Sequence, residues 1–265
     1  MASRTYLWVG LAAAVTAATT LAVFGMVPRV VFREVTSHPA ATASVTVAAS
    51  SSGPQARAVA PERITYPAEG RGTWVEAARQ NGSPVGRAGQ VMRYRVAVER
   101  GIEGVTADAF ADRVTTTLED PRSWTAGEQY RFRRVGPGQS ADFVVRLATP
   151  GTRDALCDGA DGYTSCRNGA NVVINVARWV KGVPRYGAPL TVYRQYVINH
   201  EVGHRLGESH QRCPRRGGLA PVMQQQTLGL HGCTANPWPY PDGELHQGPL
   251  GSYNDPTPPR DRGRR

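Results

Sequence analysis

Lysine is almost missing from this chain: of 31 basic residues only Lys181 is not an arginine, a skew that GC-rich coding explains without invoking a function. Charged residues are scarce at 20%, while hydrophobic residues reach 40% and aromatics 8%, so wholesale disorder is excluded. No period of 20–50 residues recurs, which excludes a solenoid or propeller. No C-x2-C pair occurs, which argues against a cysteine-rich zinc site. A concentrated basic face is also lacking. Residues 63–250 hold 23 basic and 17 acidic groups, a difference of +6, and the densest cluster, Arg131, Arg133 and Arg134, suits a solvated strand edge. Nucleic acid is therefore not an expected partner.

What is present begins at the N-terminus. No charge occurs from Thr5 to Pro28, and Arg4 and Arg29 bracket the run. As a helix, Tyr6 to Val27 would span about 33 Å, matching a bilayer core. A cleaved signal has a shorter apolar region followed by small residues, whereas Met26-Val27-Pro28-Arg29 follows here. Residues 1–34 are thus expected to be an uncleaved membrane anchor, with a cleaved signal and secretion as the alternative. Residues 35–62, rich in Ala, Ser, Thr and Pro, read as a disordered linker. Residues 251–265, with three prolines and four arginines, read as a disordered basic tail. The folded domain is placed at 63–250.

Four cysteines, Cys157, Cys166, Cys213 and Cys233, lie beyond the apolar segment, and in an exported chain an even set implies disulfides. Of three possible pairings the sequential one, Cys157 with Cys166 and Cys213 with Cys233, closes the shortest loops. Within the domain, residues 91–98, 129–135 and 142–148 carry strand patterns, and residues 106–118 a helical one. Residues 163–167 and 170–176 flank Asn168-Gly169, a hairpin signal. A long helix over 189–206 follows. The order implies an α+β fold, a mixed twisted sheet with helices packed on it.

That helix ends in His200-Glu201-Val202-Gly203-His204-Arg205-Leu206-Gly207-Glu208-Ser209-His210. Histidines four apart leave one helix face together and can reach one metal. Gly207 suits a left-handed cap, from which the chain can reverse and return His210 to the same metal. Glu201 is placed to hold a water and take its proton. By composition, the bare H-E-x-x-H arises by chance in roughly one such chain in 200, and the full pattern in roughly one in 10⁵, so a decorative surface helix is a poor explanation. Met223 follows thirteen residues after His210.

This motif with Met223 resembles the metzincin clan of zinc endopeptidases. The wider run, from Asp120-Pro121-Arg122-Ser123-Trp124 through Gln224-Gln225-Gln226-Thr227 to Asn236-Pro237-Trp238, resembles an uncharacterised domain family of exported, zincin-like proteins. The clan resemblance implies a zincin-like core and one catalytic zinc held by His200, His204 and His210. It also implies Glu201 as general base, Met223 as the methionine turn, and a peptide paired with an edge strand, here residues 163–167. One departure is Gln225, where the clan commonly has tyrosine. Oxyanion stabilisation then falls to zinc alone, Tyr186, or a glutamine of 224–226.

The expected protein is a monomeric, extracytoplasmic, membrane-anchored zinc endopeptidase acting on peptide or protein in the cell envelope. Two alternatives are a non-catalytic envelope-binding module with structural zinc and a zinc hydrolase of cell-wall peptide cross-links.

Overall fold

A computed structural model describes residues 63–265. The expected anchor over 1–34 and linker over 35–62 lie outside the described residues. Among the described residues no helix is long and apolar enough to cross a membrane.

The fold is α+β around a six-stranded mixed sheet. A short strand, β1 (Tyr66–Pro67), precedes it. The sheet strands are β2 (Trp74–Glu76), β3 (Gln90–Glu99), β4 (Tyr130–Arg134), β5 (Phe143–Ala148), β6 (Cys166–Asn168) and β7 (Asn171–Asn175). β3, β5 and β7 run parallel at the centre, and β6 closes one edge antiparallel to β7. Along the opposite side of β3, its first half pairs with β4 in parallel and its last residues pair with β2 antiparallel. Central strands buried on both faces should be apolar throughout, and Phe143-Val144-Val145 and Val172-Val173-Ile174 are.

Helices α1 (Ala107–Glu119) and α4 (Leu190–Leu206) cover one face. The Thr106 side chain caps α1 by accepting from the Ala109 N–H at 3.1 Å. Phe110, Val114 and Leu118 of α1 and Tyr193, Tyr196, Val197 and Val202 of α4 share one core with Val96, Val145, Leu147 and Ile174. The opposite face carries a smaller cluster, Ala148, Val173, Trp74 and Leu156 beside Cys157 and Cys166. Two short helices, α2 (Pro150–Leu156) and α3 (Val176–Lys181), add to the expected set. The latter takes Val176 out of the expected strand.

The hairpin forms one residue out of step. Asn168 pairs with Asn171, so Gly169 and Ala170 are the central turn residues. Gly169 has φ +56°, and Ala170 is not among the residues of positive φ, the φ signature of a type II′ turn, which needs glycine first. Both disulfides join the expected partners, Cys157 with Cys166 and Cys213 with Cys233.

The tail expectation is corrected. Residues 251–265 lie along the domain, and β8 (Gly263–Arg264) pairs with β1. Charge pairing explains why a proline- and arginine-rich segment docks. The Asp261 carboxylate meets Lys181 at 2.7 Å and Arg178 at 3.4 Å, while Arg260 reaches Glu69 at 2.8 Å and Asp154 at 3.3 Å.

Candidate metal centre

The first two histidines are placed by the anchoring of α4. Asn199, wholly buried, is held from two directions. Ser123 donates to its Oδ1 at 2.8 Å, the Trp124 indole N–H donates to its carbonyl at 2.9 Å, and its own amide donates to Pro237 O at 2.9 Å. The runs 120–124 and 236–238 thus converge immediately before His200, with Arg122 stacked on Trp238.

α4 ends as the motif requires. Gly207 has φ +102°, and the Glu208 N–H donates to Gly203 O at 3.0 Å, a Schellman-type closure. The chain reverses and His210 comes back to the helix. Ring centroids lie 4.7 Å apart for His200–His204, 4.6 Å for His204–His210 and 5.4 Å for His200–His210. One ring nitrogen from each histidine lies within 4.8 Å of the other two.

Every outer nitrogen is engaged. His200 Nδ1 lies 2.8 Å from Val222 O, His204 Nδ1 2.8 Å from Glu208 O, and His210 Nδ1 3.0 Å from Ser252 Oγ. A carbonyl can only accept, so the first two Nδ1 atoms carry the proton and each Nε2 keeps its lone pair. The ligating, neutral form is also favoured by environment. Burial, then the neighbouring rings, holds His200 well below the usual imidazole range. Burial first and His204 second push His210 down to about 4. Three imidazoles favoured in the neutral form, with one ring nitrogen of each brought together, can hold a metal ion. The other two described histidines take no part: His231 Nε2 meets Asp255 at 2.7 Å and His246 Nε2 meets Leu219 O at 2.9 Å.

Glu201, 5% exposed, lines the same cleft. Its carboxylate has no hydrogen-bond or ion-pair partner among the described residues. Burial pushes its pKa up to about 8, against the pull of Arg153 and Arg167.

Met223 lies beneath the helix, 1% exposed, in a turn closed by the Gln224 N–H donating to Pro221 O at 3.0 Å. The fit is close. A Cβ at Gly203 would stand 2.5 Å from Met223 Sδ and 2.7 Å from Trp124 Cζ2, so the position tolerates only glycine without rearrangement. The same turn supplies the Val222 carbonyl to His200 and the Met223 carbonyl to the Gln211 N–H at 3.1 Å.

The cleft has a volume of about 450 Å³, with β6 residues Cys166 and Arg167 on one wall and Gln225, Thr227 and Leu228 on another. The edge strand is shorter than residues 163–167. Asp161 Oδ1 accepts from the N–H groups of Tyr163 (2.8 Å) and Thr164 (3.0 Å), bending the chain before the strand starts at Cys166. Of the oxyanion candidates, Tyr186 does not line this cleft: its hydroxyl donates to Gln226 Oε1 at 3.1 Å. Gln224 and Gln226 are buried in backbone contacts, and Gln225 alone of the three glutamines faces the cleft. Sequence reasoning missed Arg153, whose buried guanidinium holds the cleft-side loop through Gly159 O (2.6 Å) and Thr164 (2.9 Å). It also missed Ser252. No spacing rule connects a serine to a histidine 42 residues earlier.

No curated protein and no solved structure matches this chain. The family match spans α4, the three histidines, Glu201 and Met223, and stops short of Ser252. Over residues 60–232 the chain matches, and so belongs to, the family described as protein of unknown function (DUF3152).

Proposed function

We propose that this protein is a zinc-dependent endopeptidase of the cell envelope, in which His200, His204 and His210 hold one catalytic zinc. The observation that carries the reading is the pairing of three converging imidazoles with a buried, unpartnered carboxylate in one open cleft. A structural zinc is normally closed by four protein ligands; three histidines beside a free carboxylate instead match a catalytic donor set. Imidazole nitrogens backed by hydrogen-bonded Nδ1 atoms suit zinc's ligand chemistry. Bound there, zinc would supply Lewis acidity, polarising a peptide carbonyl and lowering the pKa of a water to about 7.

Everything else is assigned to the chain's own groups. Glu201 takes the proton from the attacking water and passes it to the nitrogen of the leaving amine. β6 has β7 on one side only, so its other edge can receive an extended peptide as an added strand along the cleft. Gln225 is the side chain left to donate to the developing oxyanion. Two disulfides fit an oxidising compartment outside the cytoplasm, consistent with export. Anchoring by residues 5–28, a monomeric state and a peptide or protein substrate complete the proposal.

The test is incubation of wild type and Glu201→Gln, both zinc-loaded, with a diverse peptide library read by mass spectrometry. Cleavage by wild type alone supports the reading. Equal cleavage by both ends the role of Glu201. Cleavage by neither, with stoichiometric zinc, points to a binding module.

A further inference from the structure

The third ligand is held differently from the first two. His200 and His204 stand on α4 and donate to backbone carbonyls, Val222 and Glu208, within the motif or its methionine turn. His210 stands past the helix end, on a segment without regular structure, and its Nδ1 contact is the side chain of Ser252 at 3.0 Å. A second bond joins the same two segments: the Gly251 N–H donates to His210 O at 2.9 Å. Neighbouring contacts extend this into a short seam. The Arg212 N–H donates to Pro249 O (2.8 Å), the Gly248 N–H to Gln211 Oε1 (3.0 Å), and the Cys213 N–H to Tyr253 Oη (3.2 Å).

The C-terminal segment is itself secured at the end of that seam and beyond it. Tyr253 stacks on His231 with centroids 3.5 Å apart. Further on, Asp261 is bound by Lys181, Arg178 and the Tyr66 hydroxyl, and β8 pairs with β1. A freely moving tail would give His210 no fixed partner; a segment tied down at residues 253, 261 and 263–264 does.

We infer that the C-terminal segment is part of the metal site, and that Ser252 is a positioning residue that orients His210 toward the ion. The inference rests on the reading that the three histidines bind a metal. With Nε2 on the metal, Nδ1 carries the ring proton and donates it to the Ser252 hydroxyl, which holds the ring in its ligating orientation. Loss of an outer partner of a metal-bound histidine typically weakens metal binding about 10–100-fold. Ser252 is exposed, so water can replace part of its role and the lower end applies, about tenfold.

The experiment uses purified full-length protein in detergent and titrates zinc against a chromophoric chelator. Cobalt loading supplies a second readout, because its visible spectrum reports the coordination of the ion. Wild type, Ser252→Ala, Ser252→Thr and a chain ending at Leu250 are compared, each with its metal-free melting temperature. The expected result is about tenfold weaker zinc binding and an altered cobalt spectrum for Ser252→Ala at unchanged metal-free stability. Ser252→Thr should restore both, and the shortened chain should bind at least as weakly as Ser252→Ala. Wild-type affinity in Ser252→Ala overturns the inference, as does a Ser252→Thr variant no better than alanine. If the shortened chain fails to fold, the serine variants still decide. A wild type that binds no zinc overturns the metal reading itself, which separates the two failures.

Discussion

Replacing Gly203 by alanine adds one methyl group in the last turn of α4, between the two helical histidines. On helix propensity alone this change should stabilise by about 1 kcal/mol. The surroundings oppose it. The new Cβ would meet Met223 Sδ at 2.5 Å and Trp124 Cζ2 at 2.7 Å, separations that real Cβ atoms essentially never show. Neither neighbour can move into solvent, since Met223 is 1% and Trp124 5% exposed. The Trp124 indole is also tied to Asn199 O at 2.9 Å. Overfilling a packed core costs about 1–3 kcal/mol, so after the propensity gain a net loss of about 1 kcal/mol is expected, within a range of about 0–2. For a domain of this size that is roughly 2–4 °C in melting temperature. Displacement of Met223 should reach the metal as well, because Val222 beside it supplies the carbonyl that orients His200. Urea denaturation of metal-free protein and zinc titration measure the two effects. In a Met223→Ala background the alanine should cost less than in wild type, giving a coupling energy of about 0.5 kcal/mol or more. A Gly203→Ala protein stabilised by the full propensity value, with unchanged zinc affinity, would refute this account of the motif's inner glycine.

Glu201→Gln should fold and retain zinc while losing about 10²–10⁴-fold in peptide cleavage, measured by single-turnover kinetics. His210→Ala should leave α4 intact by circular dichroism yet lower zinc affinity; tight stoichiometric zinc in that variant would place the third ligand elsewhere. Replacing Cys213 and Cys233 together by serine removes a closure of 20 residues and should cost about 3 kcal/mol in denaturant unfolding. Acid should loosen the C-terminal segment. Burial raises the Asp261 pKa, but Lys181, the Gly263 N–H and the Tyr66 hydroxyl outweigh it, and the net value lies below 3.8. A depressed carboxylate contributes stability that is complete above pH 3.8 and lost as the pH falls through the folded value. Pepsin cleavage within 251–265 should therefore accelerate only at that acid limit, and should lose that pH dependence in Asp261→Asn.

The clustering of the three histidines was legible because helical spacing is a strict geometric code. His200 and His204 share a face at any four-residue separation, and Gly207 announces the reversal that returns His210. The central strands were legible for a similar reason, as apolar runs of β-branched residues. What escaped was set by contacts distant in sequence. α2 and α3, at seven and six residues, are too short for periodicity to separate them from loop. The hairpin shifted by one residue because Gly169, with φ +56°, took the first turn position instead of the second. Tyr186 seemed available to the site, yet Gln226 claims its hydroxyl. Composition marked residues 251–265 as loose because it counts prolines and arginines without seeing Asp261 opposite Arg178 and Lys181. Asn199 gave no signal either, although its buried amide locks the helix immediately before His200.

The pairing of β1 with β8 has a topological consequence. Tyr66 and Arg264 are direct partners across an antiparallel ladder, so the described chain leaves the domain beside the point where it entered. The path is nearly a closed ring. A short loop could join these two positions and the ring could be reopened in a surface turn such as that at Gly138, far along the chain from α4. The order of elements would change while every neighbour stayed the same. Such a rearranged chain would begin and end at residues that do not line the cleft, and the fold would have no natural first strand: its identity lies in the cycle of contacts and not in the point where synthesis starts.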